Sequence, residues 1–304
     1  MKKIFYDTND LKLIKSEIKK IFFYRVCGTG MGAAATLLKE AGYIVEGGDN
    51  EFYPPMSTYL ENSEVQLKKI SDCSDDYLKE FDLIIVGNVV PRESKDARRL
   101  ESLGVNLTSF PQALGGLLLD AKKVIGIAGT HGKTTSTYLG AQVLSNLGED
   151  VGYFIGGVLP SGPSAQIGKS DIFIIEADEY DSAYFEKTSK FHHFGIDSLI
   201  ITSLEFDHAD IFKNEKELSS SFEKLLKGRF SRIIYNSDYS MLKNIFNSPL
   251  RNKNIKDYGL DGSHPGLRNV LSKDNYTSFE LKINGQFEKI STNLTGIHNI
   301  LNLT

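Results

Sequence analysis

Two stretches of the sequence share one plan, and together they leave few folds open. IFFYRV (21–26) is an apolar run that breaks into the turn CGTGMG and then into AAATLLKEAG, a helix-forming composition closed by Gly42. VIGIAG (124–129) repeats the plan, breaking into THGKTT and then TTSTYLGAQVLSNLG, closed by Gly148. A strand, a glycine turn and a helix form the unit of a parallel sheet, because the helix must carry the chain back to the start of the next strand. YIVEGGD (43–49), LIIVGN (83–88), DIFIIEADEYD (171–181), SLIITSLEFDH (198–208) and RIIYNSD (232–238) are further apolar runs ending in polar or acidic residues. DARRLESLG (96–104) reads as a helix stopped by glycine.

The restart divides the chain. A charged N-terminal extension covers residues 1–20, a first domain 21–120 and a second 121–304, with the boundary in or just after the helical PQALGGLLLDAKK. With 304 residues, each domain can bury a core of its own. Near the end SFELKING and QFEKISTNL are expected to pair as an antiparallel hairpin around Asn284-Gly285.

Bulk chemistry removes several classes of function. A net charge of -4 supplies no basic footprint for nucleic acid. Cys27 and Cys73, the only cysteines, support neither a disulfide framework nor a zinc site and fit a reducing compartment. The lysine-rich start is interrupted by Asp7, Asp10 and Glu17, unlike a signal peptide, and no run reaches the roughly 18 apolar residues of a membrane span. The expectation is a cytoplasmic protein with no nucleic-acid or membrane partner and an oligomeric state left open.

Gly28-Thr29-Gly30-Met31-Gly32 lies where backbone amides and a helix N-terminus can hold phosphate, although its third glycine comes one residue early for G-x-G-x-x-G. Asp49 stands where a carboxylate can take a sugar hydroxyl in a dinucleotide fold. By spacing the glycine stretch is equally a nucleotide site or a plain tight turn, and Asp49 alone is more often an ordinary loop acid; taken together the features point to a nucleotide-linked ligand.

The second turn, Gly129-Thr130-His131-Gly132-Lys133-Thr134-Thr135, keeps the G-K-T core of a phosphate loop but lacks the first glycine of G-x-x-x-x-G-K-[ST]. Lys133 suits the β and γ phosphates of a triphosphate, and the Thr134 hydroxyl suits Mg²⁺. Glu176, Asp178, Glu179 and Asp181 follow a strand; any one alone is a solvated acid, but a carboxylate at a strand end beside a phosphate loop suits a hard cation.

The compressed loop resembles that of the Mur ligases, which join an acid to an amine with ATP. The resemblance implies a Rossmann-like parallel-sheet domain for a UDP-sugar, followed by a P-loop-type central ATPase domain. It makes Glu176 a magnesium ligand, with Glu179 in reserve, and His208 in SLEFDHADIF a residue that places a second magnesium, oriented by Asp207 and Glu205. It matches GIHNILN to the family's G-x-H-N-x-x-N, bringing His298, Asn299 and Asn302 to ATP. The UDP-sugar falls to Gly28, Thr29, Gly30, Met31, Gly32, Asp49 and Asn88. Lys133, Glu176 and His208 become the catalytic set, and Thr134, Glu176 and His208 the metal set. A carbamylated lysine, present in several relatives, has no assigned position here.

GGDNEFYPPMSTYLE (47–61), EADEYDSAYFEKTSKF (176–191) and LEFDHADIF (204–212) resemble the murein-recycling branch of the family. That branch implies UDP-N-acetylmuramate and the tripeptide L-alanyl-γ-D-glutamyl-meso-diaminopimelate as substrates and an acyl phosphate between them. L-alanine as the amine is the alternative, and a UDP-sugar-binding module without catalysis is the reading of another class. A generic phosphate-loop ATPase or a folate-polyglutamate-type ligase leaves the first glycine turn and YPPMST unexplained. The family continues past G-x-H-N-x-x-N into a C-terminal domain, whereas the sequence stops at Thr304. These residues are therefore expected to bind UDP-sugar, and ATP weakly, without completing ligation alone.

Overall fold

A computed structural model describes residues 3–157, 159, 163–206, 212, 214–247, 254–260, 266–273 and 275–304. The first five strands, β1 (Lys20–Tyr24), β2 (Ile44–Asp49), β3 (Gln66–Lys69), β4 (Leu83–Val86) and β5 (Leu107–Thr108), form a parallel sheet of order β3-β2-β1-β4-β5. Its central strands are buried along their apolar length, as a sheet covered on both faces requires. Strand order reverses between β1 and β4, so their C-terminal ends border the crevice where open parallel sheets hold ligands.

Helices α1 (Thr8–Ile14), α2 (Thr29–Glu40), α3 (Met56–Asn62), α4 (Asp75–Leu78), α5 (Lys95–Leu103) and α6 (Phe110–Ala113) accompany this sheet. The charged N-terminal stretch is woven into it: Phe5 bridges Leu107 in parallel, and Leu11 of α1 is fully buried. Asp7 and Asp10 form a reciprocal capping box at the start of α1, so the acids that interrupt the lysines also start a helix.

Strands β6 (Lys123–Ala128), β7 (Gly152–Phe154), β8 (Ala165–Gln166), β9 (Ile172–Glu176), β10 (Asp181–Ala183), β11 (Glu186–Ser189), β12 (Ser198–Ile201), β13 (Arg232–Asn236) and β14 (Ile255–Tyr258) follow. Among the described residues seven of them form a sheet of order β14-β13-β12-β6-β9-β7-β8, parallel except for β8, while β10 and β11 make a separate hairpin. Helices α7 (Lys133–Asn146), α8 (Glu215–Leu225) and α9 (Ser240–Phe246) complete this unit. The expected α/β class with two successive sheets is what forms.

The hairpin expected around Asn284-Gly285 is present as β16 (Tyr276–Ile283) and β17 (Gln286–Thr292), and β15 (Leu267–Lys273) pairs on its other side. Helix α10 (Ile297–Leu303) follows and buries Ile300 against Phe279 and Leu281.

The two sheets are locked together. After α6, capped by Ser109 and Gln112, the chain widens into a π turn at Leu114–Leu118. A Cβ on Gly115 would stand 1.9 Å from the His193 carbonyl oxygen, and one on Gly116 2.7 Å from Leu11 Cβ. Only glycine lets three segments cross there. Phe110 stacks on Phe154 with centroids 5.9 Å apart, and one apolar cluster runs from Phe23 and Leu37 through Leu114 to Phe173, Ile201 and Phe222. Among the described residues no helix is long and apolar enough to cross a membrane.

Candidate functional site

The second glycine turn is shaped by positions where a side chain does not fit. Gly129 and Gly132 have φ of 134° and 84°, in the half of conformational space that glycine enters without strain. A Cβ on Gly129 would also lie 2.5 Å from Thr202 Oγ1. The turn is stapled to the end of β12: the His131 amide donates to Ser203 Oγ at 2.7 Å, and the Thr130 and Ser203 hydroxyls lie 3.2 Å apart.

Lys133 opens α7 and curls back over the turn. Its ammonium donates to the Gly129 carbonyl at 2.6 Å and meets Glu179 Oε2 at 3.1 Å. The Lys133 side chain is 12% exposed and that of Glu179 0%. The next residue carries a second pairing: Thr134 Oγ1 lies 3.1 Å from each oxygen of Glu176, which also accepts the Gly156 amide at 3.0 Å. Burial pushes both Glu176 and Glu179 above the usual carboxylate range, while Lys133 pulls them back. Both carboxylates are thus poorly hydrated, and what they meet at the loop is the Lys133 ammonium and the Thr134 hydroxyl.

The hydroxyl of Thr134 and the carboxylate of Glu176 are oxygen donors that converge at one edge of the loop, a set that fits magnesium completed by water and phosphate oxygens. Among the described residues no group of three or more His, Cys, Asp or Glu converges on a metal position, so the fit is to an ion shared with a ligand. His208 and Asp207 lie outside the described residues. Glu205, expected to orient His208, has its Oε1 3.1 Å from His131 Nε2.

Thr135 continues the first turn of α7, partly buried. At the far end of the chain Asn302 reaches this loop, its carboxamide lying against Gly132. Asn299 instead donates to the Thr295 carbonyl at 2.8 Å, and His298 is exposed beside Gly296. Of the three expected ATP contacts, only Asn302 is brought to the phosphate loop.

The first glycine turn lies at the N-terminus of α2, between the crevice and the core. Gly28 and Thr29 are exposed at the N-terminus of α2, and Gly30 packs flat under Phe110, where a Cβ would come 3.1 Å from the ring. Met31 is buried, and the Gly32 amide donates to the Gly28 carbonyl at 2.8 Å. A Cβ on Gly32 would meet Met56 Sδ at 2.8 Å. Met31 and Gly32 thus pack α2 against the core, because the helix begins at Thr29 and turns both inward.

Asp49 Oδ2 accepts the Cys27 amide at 2.9 Å, and its Oδ1 is 3.5 Å from Arg25, whose other nitrogen meets Asp96 at 2.8 Å. Asp49 thus shapes the turn as well as bordering the crevice. Asn88 is exposed just beyond the end of β4, across that crevice. Arg25, at φ 70°, escaped the sequence reading; the available signal was a cation set between a strand and a glycine turn, with acids at the ends of neighbouring elements.

The two turns are connected through few residues. Gly30 lies on Phe110, Phe110 stacks on Phe154, and Gly156, two residues further, donates to the Glu176 carboxylate that takes the Thr134 hydroxyl.

Comparison with known proteins agrees with this geometry. Residues 127–304 match the Mur ligase middle domain, and residues 20–122 match a profile described as "Mur ligase family, catalytic domain". Over 211 residues the chain is 40% identical to the UDP-N-acetylmuramate–L-alanyl-γ-D-glutamyl-meso-2,6-diaminoheptandioate ligase of Haemophilus influenzae, covering 69% of this chain and 46% of that protein. Over 288 residues it is 30% identical to the UDP-N-acetylmuramate–L-alanine ligase of Pediococcus pentosaceus, covering 92% and 60%. The crystal structure of the UDP-N-acetylmuramate:L-alanyl-γ-D-glutamyl-meso-diaminopimelate ligase from Neisseria meningitides superposes with a TM-score of 0.82 at 33% identity, covering 94% of this chain and 90% of that one. The chain spans about half the length of the first of these relatives.

Proposed function

The chain belongs to the Mur ligase family, and from that premise we propose that it holds UDP-N-acetylmuramate and ATP for an ADP-forming amide-bond ligase of cytoplasmic peptidoglycan recycling. The amine partner in this reading is L-alanyl-γ-D-glutamyl-meso-diaminopimelate. The higher identity to the tripeptide-adding relative supports this choice over L-alanine. The single observation that carries the reading is the pairing of Lys133 with Glu179 and Thr134 with Glu176 on one phosphate loop.

The muramoyl carboxylate attacks the γ-phosphorus of ATP; an O–P bond forms, the bridging bond to ADP breaks, and an acyl phosphate results. The amine then adds to the acyl carbon, loses its proton, and inorganic phosphate leaves from the tetrahedral intermediate. Two anions must meet in the first step, so positioning and charge neutralisation dominate the protein's contribution. Lys133 holds the β and γ phosphates while its carbonyl and carboxylate partners keep the ammonium in place. Thr134 and Glu176 are the residues that would hold magnesium, which when bound neutralises phosphate charge. His208 completes the assigned metal set. Gly129, Thr130, His131, Gly132 and Thr135 present the loop, and Asn302 approaches the nucleotide from α10. Gly28, Thr29, Gly30, Met31 and Gly32 of the first turn, with Asp49 and Asn88 at the crevice, hold the UDP portion.

Calorimetric titration with UDP-N-acetylmuramate and, separately, with ATP and Mg²⁺ tests the reading. Uptake of both is expected. Sugar uptake without nucleotide uptake would favour a non-catalytic binding module, and uptake of neither would end the proposal.

A further inference from the structure

Two nearly buried lysines pair with neighbouring acids on the segment that follows β9. Lys133 meets Glu179; Lys190, also 12% exposed, meets Asp178 Oδ2 at 2.7 Å. The Lys190 ammonium lies 5.5 Å from the ring centroid of Tyr180 and 5.6 Å from that of Phe110. Phe110 comes from the first sheet unit and is the ring on which Gly30 rests. Lys190 thus stands at the junction of the two glycine turns, with Lys133 on the triphosphate side.

We propose that Lys190 binds the carboxylate of the nucleotide-sugar substrate, the group that is to be phosphorylated; this rests on the ligase reading above. Acyl-phosphate formation brings a carboxylate against a γ-phosphate, and the repulsion must be offset from both sides. Lys133 is tethered to the Gly129 carbonyl and belongs to the phosphate loop. A second cation has to face the domain that delivers the sugar, and Lys190 is placed to do so. Two aromatic faces attract an ammonium and exclude water, which strengthens its attraction for an arriving anion. Asp178, itself turned into the Tyr180 amide at 3.0 Å, fixes the ammonium beforehand.

A purely structural role would have Lys190 only tie this turn together, since its amide also donates to the Tyr180 carbonyl at 3.0 Å. Three ligands separate the roles: UDP, UDP-N-acetylglucosamine and UDP-N-acetylmuramate, of which only the last carries the lactyl carboxylate. Calorimetry on the wild-type chain is expected to show about tenfold tighter binding of the muramate than of the glucosamine sugar. K190M, which keeps the apolar stem, should erase that ratio and leave UDP affinity unchanged, while K190R retains part of it. Because K190M strands Asp178, the D178N/K190M double variant provides a second test and should lack the ratio too. A ratio that survives K190M, or a proportional loss for all three ligands in both variants, overturns the assignment. Equal wild-type affinity for the two sugars overturns it while leaving the ligase reading intact; wild-type failure to bind any of the three overturns both.

Discussion

The carboxamide of Asn302 closes on Gly132: a Cβ on this glycine would stand 2.4 Å from Asn302 Oδ1. The contact joins the last helix to the phosphate loop across most of the second domain. Gly132→Ala meets two costs, the positive φ of 84° and the displaced carboxamide. It should lower stability by about 1–3 kcal/mol, read from denaturant midpoints. Adding Asn302→Ala should recover part of that loss but not the backbone portion. Full recovery in the double variant would mean that the φ is not strained for alanine.

Lys133→Met should abolish detectable ATP binding and also destabilise the fold, because Glu179 is left buried without its cation. Loss of one partner of such a pair costs about 3–5 kcal/mol. Glu179→Gln in the same chain should restore most of the stability but none of the nucleotide binding. Thermal unfolding and calorimetry on the four members of the cycle separate the two effects, and retained ATP affinity in either Met variant would contradict the role given to Lys133.

Thr134→Val keeps the shape of the side chain and removes the hydroxyl that lies 3.1 Å from Glu176. The expected result is a loss of roughly tenfold or more in the enhancement of ATP affinity by Mg²⁺, about 1.4 kcal/mol, with little change in Mg²⁺-free binding. An unchanged magnesium response would remove Thr134 from the metal set.

Glu186 and His193 make a half-buried pair with Oε1 and Nε2 3.4 Å apart, faced by Asp7 and adjoining His192. Burial pushes the Glu186 carboxyl from 4.5 up to about 7, and the His193 imidazole from 6.5 down to about 4. The raised carboxyl contributes stability below about 4.5 that is lost as pH rises through about 7. The depressed imidazole contributes stability above 6.5 that is lost as pH falls towards about 4. Between pH 4.5 and 6.5 the two slopes oppose each other, so the wild type should be comparatively flat there. Glu186→Gln should lose stability on acidification across that window, and His193→Gln on alkalinisation, each on the order of 2 kcal/mol in urea titrations. Parallel pH profiles for the two variants would contradict the opposing directions.

Much of the architecture was open to reading because it is written in short-range chemistry. Alternating apolar runs and glycine-stopped helices report local backbone preference and one-sided burial, which neighbours a few residues away can encode. The G-K-T turn and the acids after β9 are likewise contiguous patterns, and folding brings them together at Lys133 with Glu179 and Thr134 with Glu176. Less legible was what each polar residue does with its neighbours. Met31 and Gly32 belong to a motif suggestive of ligand contact, and only folding shows that α2 turns their inner side onto Met56 and the core. Arg25 sits in no recognised spacing, and nothing within EADEYDSAYFEKTSKF singles out Lys190; their partners, Asp96 and Phe110, are brought to them only by folding.

From sequence alone came the α/β class, the two successive sheets, the family and the compressed G-x-x-G-K-T turn, all properties of contiguous residues. Tertiary structure decided the pairing of Thr134 with Glu176, the crossing of segments at Gly115 and Gly116, and the approach of Asn302 to Gly132. These depend on where distant segments meet, and a pattern of local propensities leaves those distances undetermined until the two sheets pack on a common core.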